Sequence, residues 1–486
     1  MDRAAVLELP VAVIGAGPVG LAAAAELVRR RIPVVVLEAG DEVGASVRAW
    51  GHVRMFSPWR YNIANPSRAL LEAFGWQDPD ADAVPTGRDL VSMYLEPLAA
   101  VPALKAALRF GTRVRTVTRL GLDKVRDADR ASRPFLLRIE KGSEESDLLA
   151  RAVIDCSGTF EQPNHGGAHG IPARGEARHG TRITYGMPDV GGADRGRYAG
   201  RRVAVLGSGH SATGVILELL ALQQQDVSTQ ILWLSRRADL RLAFGGGAAD
   251  ALPARGALGS RLRKAVEAGR VEVRHPFALD EVAMDGGALR LTGTDGESVV
   301  ADELVIATGF RPDLAMLGEV RLDLDPALEC PRALASLIDP NIHSCGTVRP
   351  HGARELTQPD PGFYIAGMKS YGRAPTFLLA TGYEQVRSIV AELAGDHAAA
   401  ARVELELPET GVCSSGPARD EQGAASGCCG GPAKANASAC CVRDEEVKAA
   451  GGAGCGCGSA AKPEPALAQA PGDAVAARAR PGGCCG

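Results

Sequence analysis

The chain has 486 residues, of which 45% are hydrophobic and 23% charged, and its formal net charge is −4. Length and composition predict a globular protein with more than one domain. The small negative charge argues against nucleic acid as a partner, because nucleic-acid binders usually carry a surplus of basic residues.

The N-terminal region predicts neither a secretory leader nor a membrane span. The longest apolar stretch, 11–25, is interrupted by Gly15, Gly17, Pro18 and Gly20. It is also shorter than the roughly 20 residues that a spanning helix needs. We therefore expect a cytoplasmic protein that does not insert into a membrane.

The first recognisable unit is a strand, a glycine-rich turn and a helix. The run 11–14 predicts the strand, 21–30 predicts the helix, and Gly15, Gly17 and Gly20 lie in the turn or at the start of the helix. In this fingerprint the first glycine permits the turn, the second lets a pyrophosphate approach, and the third lets the helix pack closely on the strand. Glu38 ends the next strand 18 residues after Gly20, where a carboxylate accepts ribose hydroxyls. The unit is predicted to bind a dinucleotide.

Segment 50–62, which follows that ribose-binding strand, is dense in aromatic and basic residues, although aromatic residues make up only 4% of the chain. His52, Arg54, Trp59 and Arg60 are its candidates for contact with a flavin or a substrate. The alternative is a structural loop that packs on the first unit.

A second strand, glycine turn and helix begin near residue 202. The next strand, 231–234, is followed by arginines rather than by a carboxylate. Arginine accommodates the 2′-phosphate of NADP and binds phosphate through two parallel hydrogen bonds, so we predict NADPH here. The alternative is a pair of solvated loop arginines. The expected cofactor-binding residues of this unit are Gly207, Gly209, Ser211, Arg236 and Arg237.

Strand and helix patterns alternate up to about residue 400, which is typical of βαβ units with a parallel sheet. Strand patterns ending near 306 and 365 close the second unit and the first unit, respectively. We predict an α/β fold with two Rossmann-type dinucleotide-binding domains, the second inserted in the first. The expected boundaries are 1–165 and 305–400 for the two parts of the first domain, 166–304 for the second domain, and 401–486 for a flexible tail.

Cysteines concentrate in that tail, which holds nine of the twelve; the other three are Cys156, Cys330 and Cys345. From residue 403 onward there is no Phe, Trp or Tyr, so the segment can bury little and is predicted to be flexible and disordered. Closely spaced thiolates bind soft ions such as Cu(I), zinc or trivalent arsenic. A tail without a role is the alternative. The candidate ligands are Cys428, Cys429, Cys440, Cys441, Cys455, Cys457, Cys484 and Cys485.

The order of these motifs resembles that of the flavin-containing monooxygenases and their bacterial relatives, over about residues 8–395. That class carries F-x-G-x-x-x-H-x-x-x-Y/F before its NADPH fingerprint. Here Gly175 and His179 match, while Ala173 and Ile183 replace the aromatic residues. The resemblance implies FAD in the first domain and NADPH in the second. It also places Gly309, in the A-T-G run that ends a strand, among the cofactor-binding residues.

The resemblance also suggests catalytic candidates. In the class, the segment corresponding to 369–376 meets the pyrimidine end of the flavin, where Lys369 and Arg373 would stabilise the negative charge of the reduced ring. His52 and Arg54 complete the candidates, whereas Cys156 is expected in the core. The first 400 residues contain no C-x-x-C pair, which argues against a reductase that uses a cysteine pair in the core.

The tail is similar to those of flavoproteins encoded in arsenic-resistance operons. This resemblance implies an NADPH-dependent flavin monooxygenase that uses dioxygen to oxygenate a soft nucleophilic centre, in a trivalent arsenical or a thiol compound. Two alternatives stay open: a metalloid or disulfide reductase that uses Cys484 and Cys485, and a metalloid-sequestering flavoprotein without turnover. A homodimer also stays open.

Overall fold

The computed structural model describes residues 3–245, 253–340, 348–375, 377–405 and 448–450. The chain divides into two units, 1–423 and 424–486, and both parallel sheets belong to the first unit. The strands of this first unit are β1 (Val11–Ile14), β2 (Val34–Leu37), β3 (Leu108–Arg109), β4 (Thr112–Arg119), β5 (Phe135–Lys141), β6 (Glu144–Ala150), β7 (Ala152–Asp155), β8 (Ile183–Tyr185), β9 (Arg202–Leu206), β10 (Gln230–Leu234), β11 (Glu272–Arg274), β12 (Leu279–Asp285), β13 (Ala288–Gly293), β14 (Ser298–Ala301), β15 (Glu303–Ile306) and β16 (Phe363–Ile365).

The helices of the first unit are α1 (Arg3–Leu7), α2 (Pro18–Arg29), α3 (Ala45–Ala49), α4 (Asn65–Glu72), α5 (Gly87–Leu90), α6 (Glu96–Ala100), α7 (Pro102–Ala107), α8 (Arg195–Tyr198), α9 (His210–Gln225), α10 (Pro253–Glu267), α11 (Arg332–Ile338), α12 (Ala353–Leu356), α13 (Leu379–Leu393) and α14 (His397–Ala401). None of the helices in the described ranges has the length and hydrophobicity that crossing a lipid bilayer would require.

The first sheet is parallel and has the strand order β16-β7-β1-β2-β3. Its central strand β1 is fully buried, as expected for a parallel strand covered on both faces. Val11 and Val13 pack in the cluster that contains α2 and α13. Ala12 and Ile14 pack on the opposite face, against the antiparallel sheet β4–β5–β6.

The second sheet repeats this design with the order β11-β10-β9-β15-β8. Val203 and Val205 of β9 pack with α9 and α10, while Ala204 and Leu206 pack against the antiparallel sheet β12–β13–β14. All five strands of this sheet lie between β7 and β16 in the chain, so the predicted α/β fold with one Rossmann unit inserted in the other is confirmed.

The structure shifts several predicted boundaries. Helix α2 begins at Pro18 rather than at 21, because Gly17 is its extended N-cap and proline is tolerated in the first turn. Gly209 is likewise the extended N-cap of α9, which begins at His210. Residue 304 lies inside β15, which pairs with β9 up to Ile306, so we propose that the second domain ends there.

The end of the described chain packs on α13. The guanidinium of Arg387 donates to the carbonyl oxygens of Ala399 and Arg402, and the N–H of Glu404 donates to Glu384. We therefore propose that the tail begins after residue 405 rather than at 401. Its cysteines, with Cys345, lie outside the described residues.

Candidate functional site

The first glycine turn is shaped by contacts of the protein's own backbone at two of its three glycines. Gly15 has φ +97°, and a Cβ there would lie 2.9 Å from the carbonyl oxygen of Cys156. A Cβ on Gly20 would lie 1.9 Å from the carbonyl oxygen of Gly15, whereas one on Gly17 would meet nothing within 4 Å. The open space at Gly17 lies at the N-terminus of α2, where backbone N–H groups and the helix dipole favour a pyrophosphate.

Glu38 lies against this turn. Its Oε2 accepts the N–H of Ala16 at 2.6 Å, and its Oε1 accepts the N–H of Gly40 at 2.8 Å. A carboxylate oxygen has two lone pairs, so each still has room for a ribose hydroxyl. The turn and Glu38 fit the adenosine half of a dinucleotide.

The second glycine turn repeats this geometry. A Cβ on Gly207, which has φ +143°, would lie 2.4 Å from the carbonyl oxygen of Ala307, whereas Gly209 again faces open space. Ala212 is buried and Ser211 half-buried in the first turn of α9. This geometry fits a second dinucleotide.

Gly309 lies where two segments cross between the domains. It has φ +92°, and its carbonyl oxygen accepts the N–H of Asn164.

The predicted phosphate-binding arginines differ in exposure. Nε of Arg237 donates to Oγ of Ser208 at 3.1 Å, which holds its guanidinium beside the second glycine turn. The N–H of Arg237 donates to Oγ of Ser235, and Arg236 is exposed to solvent. Two guanidinium-bearing residues therefore follow β10, the strand whose end faces the adenosine ribose in this fold.

Replacing both arginines by alanine is expected to weaken NADPH binding about tenfold to a hundredfold and to leave NADH binding nearly unchanged, because a charge-assisted phosphate contact is lost. Arg290→Ala, on the exposed side of β13, is the matched control. Michaelis constants for both coenzymes measure the effect. Equal use of NADH and NADPH by the wild type would refute the assignment.

Segment 50–62 reaches the second domain. The ring of Phe56 lies 5.5 Å from that of His210, the first residue of α9. Trp59 is only 3% exposed and packs in the core, so it fits the structural alternative. Arg54 and Arg60 are exposed; Arg54 donates to the carbonyl oxygen of Val84 and Arg60 pairs with Asp82.

A cavity of about 400 Å³ lies between the two domains beside this segment. Nε2 of His52, which lines the cavity, is buried and has no hydrogen-bond partner among the described residues. The sequence placed His52 near the flavin but gave no sign of the two carboxylates on the opposite wall. One wall includes Arg48, His52 and Arg88, and the other includes Met187, Asp189 and Asp194.

The other two catalytic candidates differ in environment. Lys369 is 1% exposed, and its Nζ lies 2.7 Å from Oδ2 of Asp155. Arg373 is exposed, and its backbone N–H donates to Leu328. The structure thus does not show Lys369 as a free cation. Asp155 was missed as its partner; the only signal was one carboxylate ending the apolar strand 152–155.

Metal ligands do not cluster within the described ranges, where no group of three or more His, Cys, Asp or Glu side chains could hold an ion. The described cysteines, Cys156 and Cys330, are both free thiols. The eight predicted tail ligands lie outside these ranges.

The two glycine turns at the carboxyl edges of two similar sheets define a flavoprotein that binds two dinucleotides. The chain belongs to the pyridine nucleotide-disulphide oxidoreductase family, whose sequence pattern matches residues 9–359. It is an NADPH-dependent flavin oxidoreductase with FAD and NADPH as cofactors.

Relatives in sequence include both reductases and monooxygenases. The chain is 26% identical over 351 residues to a ferredoxin–NADP reductase of Paramagnetospirillum magneticum, which covers 70% of this chain and 85% of the relative. It is 29% identical over 208 residues to the indole-3-pyruvate monooxygenase YUCCA1 of Oryza sativa subsp. japonica, and this match covers 43% of this chain and 44% of the relative.

Solved structures show the same mixture. The bacillithiol disulfide reductase Bdr of Bacillus cereus has a TM-score of 0.56 at 17% identity, with 79% of this chain and 99% of that chain covered. The FAD-bound cadaverine monooxygenase DfoA of Erwinia amylovora has a TM-score of 0.57 at 15% identity, with 85% of this chain and 99% of that chain covered. These likenesses show a shared fold.

Proposed function

We propose that this enzyme is an NADPH-dependent flavin monooxygenase that transfers one oxygen atom to a soft nucleophilic centre, in a trivalent arsenical or a thiol compound. The observation that carries the proposal is the low reactivity of the two described thiols, which argues against a reductase that uses a cysteine pair in its core. Burial and the charge of Asp155 raise the pKa of Cys156, and burial raises the pKa of Cys330 to about 12. Because the thiolate is the reactive form, neither is suited to exchange with a disulfide.

The cofactor-holding residues follow from the two turns. Gly17 and Glu38 would hold FAD, while Gly209, Arg236 and Arg237 would hold NADPH. When bound, NADPH supplies a hydride to FAD, and FAD supplies the electrons that reduce dioxygen or another acceptor. Phe56, packed on His210, would help to keep water from the space between the two sites.

The cavity between the domains is the proposed substrate site. Residues of both domains line it. Its volume is within the usual range for ligand pockets, near the lower end, and suits a small molecule. His52 and Met187, on opposite walls, offer a ring nitrogen and a polarisable thioether to a soft substrate. Its charged residues would orient polar substituents.

The tail is proposed to collect the substrate. Its cysteine pairs resemble those of flavoproteins from arsenic-resistance operons, and thiolates bind trivalent arsenic and other soft ions. Binding should weaken as the pH falls, because a free cysteine has a pKa of about 8.5 and only its thiolate is a ligand.

A second candidate is a reductase without oxygen transfer. It is favoured by the family match and by the ferredoxin–NADP reductase relative, of which 85% is covered. In this case Cys484 and Cys485 of the tail would pass electrons from the flavin to a metalloid or a disulfide.

Removing the tail after Leu405, which keeps the contacts of Arg402 and Glu404 with Arg387, should separate these functions. For a monooxygenase, the shortened chain should keep its turnover at saturating substrate but need more substrate, because the tail only collects it. The measurement is NADPH oxidation with arsenite, organoarsenicals and thiols. One NADPH and one dioxygen should be consumed for each oxygenated product and each water formed.

The control is the full-length Cys484→Ser, Cys485→Ser variant. Turnover without oxygen that disappears in both this variant and the shortened chain would establish the reductase and refute the monooxygenase. Arsenite binding without any substrate-dependent NADPH oxidation would instead support sequestration.

A further inference from the structure

A buried ion pair lies beside the first glycine turn. The side chains of Lys369 and Asp155 are 1% and 0% exposed, and Nζ of Lys369 also donates to Oγ of Ser157 at 3.0 Å. Asp155 in turn accepts the N–H and the hydroxyl of Ser157. Strands β16, β7 and β1 are neighbours, so this cluster lies at the sheet edge where the glycine turn begins.

Stability alone does not account for this ion pair. Removing two charges from water is expensive, and buried ion pairs can often be replaced by apolar residues without loss of stability. The position of the ion pair behind the first glycine turn explains it better. A Cβ on Gly15 would lie 3.2 Å from Cα of Ser157, so the backbone held by the cluster is the surface against which the glycine turn packs.

We propose that Lys369 is a positioning residue for FAD. It acts through Asp155 and Ser157, which fix the 155–158 turn behind Gly15 and so set the shape of the pyrophosphate site. Because Asp155 compensates its charge, Lys369 does not act as a free cation on the reduced flavin. The proposal rests on the assignment of FAD to the first domain and holds for monooxygenase and reductase alike.

The turn that carries Lys369 has a second, independent anchor. The N–H of Gly367 donates to Oε1 of Gln385 at 2.7 Å, and Nε2 of Gln385 donates to Oγ of Ser370 at 2.9 Å. Gly367, with φ +70°, packs on Val19 of α2. Losing the ammonium should therefore leave the turn in place and loosen the contact with Ser157.

The test is titration of the apoprotein with FAD, followed by flavin fluorescence, together with the melting temperature of the apoprotein. Lys369→Met should raise the FAD dissociation constant by about tenfold or more, because hydrogen bonds of a charged donor are lost. The exposed Lys105→Met is the matched control and should bind FAD like the wild type.

Two further variants separate positioning from simple charge balance. Lys369→Met combined with Asp155→Asn removes the unpaired buried charge; it should restore the melting temperature but not the FAD affinity. Ser157→Ala should weaken FAD binding about threefold or more at an unchanged melting temperature, and it tests the proposal even if Lys369→Met does not fold.

Wild-type FAD affinity in Lys369→Met or in Ser157→Ala would overturn the proposal. Restored affinity in the double variant would also overturn it, because Lys369 would then only neutralise Asp155. None of these results depends on turnover, so they leave the choice between monooxygenase and reductase untouched.

Discussion

Gly17→Val is expected to yield a folded protein that contains no FAD. Gly17 has φ −77° and ψ −176°, a conformation open to valine, and its Cβ would meet no protein atom within 4 Å. The side chain would therefore fill only the space that the pyrophosphate needs. The FAD content after purification, read from the flavin absorption band, and the melting temperature of the apoprotein together measure this effect.

Gly209→Val is the matched control in the second domain. Its backbone is equally extended, and its Cβ also faces open space. This variant should remain yellow and be reduced by dithionite but not by NADPH. Gly20→Val should instead fail to fold, because its Cβ would lie 1.9 Å from the carbonyl oxygen of Gly15. Full FAD occupancy in Gly17→Val would refute the assignment of the first site.

The geometry of the two glycine turns was predictable because its requirements are local. A turn of fixed spacing between a strand and a helix determines where Gly15, Gly17 and Gly20 lie, and the structure assigns each the space that its place in the motif requires. The preference for NADPH was likewise inferred from a few neighbouring residues, the arginines that stand after β10 in place of a carboxylate. The inserted order of the two sheets followed from the order of the strand patterns.

Contacts between distant segments were not predictable in this way. Lys369 and Asp155 are 214 residues apart, and no spacing rule connects them. The contact of Phe56 with His210 depends on how the two domains pack. Trp59 is the converse case, because an aromatic residue in a polar segment suggests a ligand contact but equally fits the core position that it occupies. The antiparallel sheets that cover each Rossmann unit were also missed.

Asp360 is the centre of a buried polar network that no sequence motif predicts. Its side chain is 1% exposed and accepts two hydrogen bonds from Arg130, at 2.7 and 2.8 Å. Arg119 lies 3.4 Å away with its own side chain 2% exposed, and the N–H of Arg321 also donates to Asp360. One carboxylate thus joins β4, the loop at 130 and the segments at 321 and 360.

Asp360→Ala is therefore expected to lower the free energy of unfolding by about 3–5 kcal/mol, because it leaves two buried guanidinium groups without a counter-charge. Urea denaturation of variant and wild type at pH 7 measures the loss. Asp147→Ala is the matched control: Asp147 pairs with Arg138 at 2.7 Å, but both side chains are about half exposed. Removal of such a solvent-screened surface pair should lower the stability far less than Asp360→Ala does.

The pH dependence gives a second readout of the same network. Burial alone would raise the pKa of Asp360, but hydrogen bonds from Arg130 and Arg321 and the charges of Arg130 and Arg119 outweigh it and lower the pKa. The stabilisation is therefore complete above the pKa of an unfolded aspartate, about 4, and is lost as the pH falls through the lower folded-state value. The stability difference between wild type and Asp360→Ala should narrow below about pH 4. A difference that stays constant down to pH 2 would mean that the variant loses packing rather than a charged partner.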